Sequence, residues 1–123
     1  MADRRVDAGF VENATPERIY ERNWALTLLN LVLADLEQEF LDEGKEELFS
    51  TLKPHLQFGG KAQALDVIAE RLGMKVGAVK VAIYRLRQRY RMALRRQITQ
   101  TLADGENVDE EMRHLFRVLS EKP

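Results

Sequence analysis

Between Arg71 and Ala103 the chain carries Arg71, Lys75, Lys80, Arg85, Arg87, Arg89, Arg91, Arg95 and Arg96 and not one Asp or Glu. A run of this kind makes a cationic surface, whose natural counterpart is a polyanion. Lys80, Tyr84 and Arg85 hold the groups best suited to reading a duplex. Arginine bonds the O6 and N7 edge of guanine with both arms, lysine reaches a guanine or a phosphate, and tyrosine offers a ring to a thymine methyl plus a hydroxyl. Arg87, Arg91, Arg95 and Arg96 come later and suit phosphates or a protein surface. Nothing comparable supports catalysis. His55 beside Pro54 and His114 in an acidic terminal stretch belong to no triad or metal-ligand spacing. The adjacent pairs Glu46-Glu47 and Glu110-Glu111 point to different sides of a helix. No enzyme, metal site or cofactor is expected.

Over all 123 residues, 19 Lys and Arg face 20 Asp and Glu. Taken alone, that near-neutral balance argues against nucleic acid, because phosphate contacts need a positive surface. The distribution reverses the argument. Acids outnumber bases on both sides of the run, so a positive face is expected on a molecule whose acidic remainder keeps it soluble. The competing reading is a basic helix neutralised by the acidic helix before it. There are no cysteines, which excludes disulfides, thiolate metal sites and a cysteine nucleophile. The charged start lacks the apolar stretch of a signal peptide, and the apolar run from Trp24 to Leu36 is broken by Thr27, Asn30 and Asp35. A soluble, cytoplasmic chain with no membrane partner is expected.

The elements that must position these residues are all helical. Residues 1–14 show no sustained period and read as a flexible lead-in. Thr15-Pro16 is a helix start, with a hydroxyl to cap a free N–H and a proline that loses nothing at the first helical position. Apolar residues at Ile19, Tyr20, Trp24, Leu28, Val32, Leu36 and Phe40 then predict a long helix stopped by Gly44. A short helix over residues 45–52 should end at Pro54. Gln57-Phe58-Gly59-Gly60-Lys61 lacks the Gly-Lys-Ser/Thr of a phosphate-binding loop and reads as a plain turn. A helix over residues 63–72, closed by Gly73, is followed after Met74-Lys75-Val76 by a second helical pattern that starts near Val76 and runs to about Leu102. Val79, Ile83, Leu86, Tyr90 and Leu94 share one arc of that helix, and Lys80, Tyr84, Arg87, Arg91 and Arg95 share a neighbouring one. After a hinge at Asp104-Gly105, Asn107 and the acids behind it open a last amphipathic helix with Val108, Met112, Leu115, Phe116 and Leu119 on its apolar face. The expected organisation is thus a lead-in (1–14), a helical domain (15–103) with a helix-turn-helix at about 63–96, and a hinge with C-terminal helix (104–123).

Two helices joined by a short glycine-containing turn, the second one basic, is the sequence form of a helix-turn-helix. The run from Leu65 to Arg87 also resembles the C-terminal promoter-reading (region four) domain of bacterial RNA polymerase sigma factors of the extracytoplasmic-function type. The matching residues are Ile68-Ala69, Leu72-Gly73, Gly77-Ala78-Val79-Lys80 and Arg85-Leu86-Arg87. Thr15-Pro16-Glu17-Arg18, the segment from Arg22 to Leu26, and Met112-Arg113-His114-Leu115-Phe116 are similar to a planctomycete-like subgroup of such factors. The resemblance implies binding to the minus-35 promoter element of double-stranded DNA, with a protein face toward the flap of the polymerase β subunit. It places DNA contacts on Lys80, Val81, Tyr84 and Arg85, in a basic setting completed by Lys75, Arg87 and Arg91. Val81, Ala82 and Lys75 depart from the serine, arginine and serine or threonine common in the family. Those departures imply either a different DNA sequence or weaker binding. The clamp-gripping half of such a factor is not in this sequence, so the chain by itself is expected to be less than a complete initiation factor.

A second function class stays open: a protein-interaction module that modulates a sigma factor or the polymerase as a negative effector without reading DNA. Along the first long helix Leu26, Leu29, Leu33 and Leu41 widen the apolar stripe beyond what one small domain can cover. They are expected to meet a partner, which the resemblance makes the missing domain, the polymerase or an anti-sigma factor, with homo-oligomerisation through the same helix as a stand-in.

Overall fold

The computed structural model describes residues 15–56 and 62–120. The chain is all-α there: α1 (Pro16–Asp42), α2 (Glu46–Leu52) with a 3-10 turn behind it (Lys53–His55), α3 (Leu65–Leu72), α4 (Val76–Thr101) and α5 (Val108–Ser120). The expected lead-in and the turn expected at Gln57–Lys61 lie outside the described residues. No described helix is long and apolar enough to cross a membrane.

The helix ends follow local chemistry. Thr15 Oγ1 accepts from the Arg18 N–H at 3.2 Å, and Asn107 Oδ1 accepts from Asp109 and Glu110 at 2.8 and 3.3 Å. Each side chain thereby satisfies N–H groups that the first turn leaves without a helical acceptor. Gly44 stops α1 in the left-handed region (φ 73), which lets Lys45 donate back to the Phe40 carbonyl and Gly44 to that of Leu41.

The chain divides into two compact units, Val32–Leu94 and Met1–Leu31 with Arg95–Pro123. The division falls inside α1 and α4, whereas the sequence suggested a boundary at Asp104-Gly105. In Val32–Leu94 the core comprises Leu36, Phe40, Phe49, Leu52, Ile68, Val79, Ile83 and Leu86, among others. The Phe40 and Phe49 rings lie 5.2 Å apart there, joining α1 to α2. In the other unit α5 buries Met112, Leu115, Val118 and Leu119, and Ala25, Leu29 and Ile98 are buried with them. Residues at positions 112, 115 and 119 keep to one face because alternating steps of three and four average the 3.6-residue turn.

That same arithmetic corrects the reading of α1. Its buried residues are Ala25, Leu29, Val32, Leu33, Leu36 and Phe40, while Ile19 and Tyr20 are exposed. The anticipated stripe Trp24, Leu28, Val32, Leu36, Phe40 advances strictly by fours, and each such step drifts about 40° around the helix, about 160° in all. It cannot be one face. The observed set stays within an arc of about 100°. Leu29 and Leu33, only 7% and 8% exposed, therefore belong to the core of this chain and not to a partner surface. Of the four leucines assigned to a partner, Leu26 and Leu41 remain exposed, at 40% and 46%.

Candidate nucleic-acid interface

Val32–Leu94 contains the α3–α4 pair whole, and the link between the helices is fixed by one glycine. Gly73 adopts φ 66, a left-handed conformation that costs a side-chain-bearing residue energy. In that conformation Gly73 donates to the Glu70 carbonyl at 3.3 Å and Met74 to the Ala69 carbonyl at 2.9 Å, closing α3. Lys75 then supplies the carbonyl that accepts from Val79 and so opens α4. The first turn of α4 has no acidic residue to occupy the positive end of the helix dipole.

Around α4 the residues sort by angle. Val79, Ile83, Leu86, Tyr90, Ala93 and Leu94 are buried, and burial pushes the Tyr90 phenol up to about 12. Two arginines flank that face. Arg89 lies 4.3 Å from the centroid of the Phe40 ring and reaches Glu39 and Glu43 with one nitrogen, at 2.9 and 3.0 Å. Partial burial works against its charge, but the hydrogen bonds to Glu43 and Glu39 and their charges outweigh that and hold the guanidinium above its ordinary range. On the other flank Arg87 donates to the His55 carbonyl at 3.4 Å.

The remaining arc faces solvent. Lys75, Lys80, Val81, Tyr84, Arg85, Arg87 and Arg91 are all exposed, Val81 at 47% and Tyr84 at 63%. None of the five cations has a carboxylate partner among the described residues. The structure thus brings the sequence-derived set, apart from Lys75 just before the helix, onto the solvent-facing side of α4. Arg95, further along, differs: Asp109 of α5 engages it in an ion pair. Lys80 and Arg91 are eleven residues apart, or about 16 Å along the axis, more than the roughly 12 Å width of a major groove. Lys80, Tyr84 and Arg85 lie within about 8 Å along the axis and fit such a width, whereas the stretch from Lys80 to Arg91 does not.

The role of Arg89 was missed from sequence, although a signal existed. On a helical wheel it falls about 60° from Leu86, at the border of the apolar arc, where a cation is expected to lie along the core and find an acidic neighbour. Gly77 shows the reverse case: a Cβ added there would meet nothing within 4 Å, so no packing among the described residues requires a glycine. No family model, curated protein or solved structure matches the chain.

Proposed function

We propose that this protein binds double-stranded DNA as a helix-turn-helix module, with the first turns of α4 in the major groove. The observation that carries the reading is the exposed set Lys80, Arg85 and Arg91, without a carboxylate partner among the described residues, on the helix that follows the Gly73 turn. The acid-free stretch gives the phosphate attraction, and Lys80, Tyr84 and Arg85 give the base edges something to meet. By its resemblance to extracytoplasmic-function sigma factors, the module reads the minus-35 element in the cytoplasm, beside the polymerase β flap and under the control of an anti-sigma factor. The test is duplex binding at fixed salt by the parent, Lys80→Ala and Arg85→Ala. Each substitution is expected to weaken binding to a selected duplex by about 1 to 3 kcal/mol with helicity retained. Unaltered binding in both would overturn the reading.

One feature favours a second reading, in which α4 docks on a sigma factor or the polymerase without touching DNA. Val81, Tyr84 and Met92 form an exposed apolar seam at helical spacing on the solvent side of α4. A seam of that kind fits a groove in a partner protein. Under this reading Tyr84→Ala and Met92→Ala disrupt the protein complex, whereas no duplex binds at physiological salt.

A further inference from the structure

The unit formed by Met1–Leu31 with Arg95–Pro123 holds an open cavity of about 520 Å3, none of whose lining residues belongs to α4. Helix α1 supplies Glu17, Tyr20, Glu21 and Trp24 to its walls, and α5 supplies Glu111 and His114. The imidazole of His114 stacks on Trp24, with 6.1 Å between centroids and 28° between planes, and its Nε2 lies 3.7 Å from Glu21 Oε1. Aromatic faces therefore stand beside three carboxylates in one depression. Helix dipoles account for acids at Glu17 and Glu111, which lie in first turns, but not for Glu21, a turn further along α1.

We propose that this cavity receives an arginine side chain presented by a basic segment of a protein partner. The three carboxylates select a cation and repel phosphates, so nucleic acid is excluded from this site. Among the described residues no group of acids and histidines is arranged to hold a metal ion, and the cavity is far larger than one ion needs. Its openness suits a side chain tethered to a larger surface, because a free small molecule is ordinarily enclosed on most sides. Between the two basic side chains, guanidinium is the better fit. It is planar, weakly hydrated, stacks on Trp and Tyr rings, and can bond a carboxylate with two N–H groups at once, whereas lysine presents a compact, strongly hydrated charge.

Trp24 is the chain's single tryptophan, so its fluorescence reports on the cavity directly. The full chain is titrated with an acetylated, amidated Gly-Arg-Gly-Arg-Gly peptide, and with the same peptide carrying citrulline or lysine in place of arginine. A saturable change in Trp24 emission is expected with arginine, a weaker one with lysine and none with citrulline over the same range. Glu21→Gln keeps the size and polarity of the side chain 3.7 Å from His114 while removing the charge, and it should weaken the arginine peptide about two- to fivefold, as loss of an exposed ion pair does. Glu17→Gln repeats the test at an exposed residue of the same wall. An equal response to citrulline, no saturable response to arginine, or parent-like affinity in both variants overturns the proposal. Since none of these residues lies on the outer face of α4, duplex binding by the parent is read separately and the two proposals fail independently.

Discussion

Arg91 and Arg95 are one turn apart in the same acid-free run of α4, yet their surroundings differ. Arg91, the last arginine in Val32–Leu94, is exposed with no carboxylate partner among the described residues, while Arg95 opens the segment assigned to the other unit and is paired with Asp109. The contrast extends to the units themselves. On Val32–Leu94 the outer side of α4 presents Lys80, Arg85 and Arg91; on the other unit an open cavity is ringed by Glu17, Glu21 and Glu111. A near-neutral total thus conceals two surfaces of opposite sign that can serve different partners. Sequence position alone does not decide which arginine is available, because a carboxylate brought by another helix can claim it.

The largest expected effect separates the two sides of α4. Ile83 is buried in the Val32–Leu94 core, and Ile83→Ala should destabilise the protein by about 2 to 5 kcal/mol in a denaturant titration, through lost burial and the cavity left behind. Val81→Ala, two residues earlier on the solvent side, should change stability by less than about 0.5 kcal/mol. Comparable losses would mean that Val81 is covered in solution, which would favour the docking reading of α4 over the DNA reading.

The comparison of Arg91 with Arg95 sharpens through salt. Log affinity for a duplex falls linearly with log salt, and each phosphate contact contributes about 0.9 to the slope. Arg91→Ala is expected to reduce the slope by about that amount. Arg95→Ala should leave it unchanged, because Asp109 already engages that guanidinium. Equal reductions would show that DNA displaces Asp109 and that the basic face continues beyond Arg91.

Much of this was legible in the residues themselves. The Thr15 and Asn107 caps, the Gly44 and Gly73 stops and the buried arc of α4 all follow from local rules, because capping and a 3.6-residue period act over a few residues. The exposed cations of α4 followed from the same period. What escaped were the relations across long sequence distances. Glu39 and Glu43 engage Arg89 from about fifty residues away, and Asp109 reaches Arg95 from a different helix. The cavity at Trp24 escaped for the same reason, since Glu111 and His114 join it from the far end of the chain. The α1 stripe failed differently: so many leucines surround that helix that a run of fours could be drawn through them, and only the 40° drift per step shows which ones share a face.

The smallest expected effect concerns the Arg95–Asp109 pair, and it tests whether this arginine is withheld from DNA over the working range of pH. The hydrogen bond from Arg95, followed by the charge of Arg95, holds the Asp109 carboxyl below its ordinary 3.8. A carboxylate whose pKa is depressed by folding stabilises the folded state fully above its unfolded value and loses that contribution as pH falls through the folded one. The pair is therefore intact near neutrality and breaks only in acid, as the pH falls through the lowered value. Asp109 is exposed, so the gain in stability is small and screened by salt. A side-chain carboxyl titration by NMR makes the effect visible. In Arg95→Gln the Asp109 midpoint should move upward toward 3.8 relative to the parent, with α5 still helical because the Asn107 cap is untouched. An unmoved midpoint would show that the two side chains do not meet in solution; Arg95 would then join Arg91 among the free cations, and the boundary drawn between them on α4 would disappear.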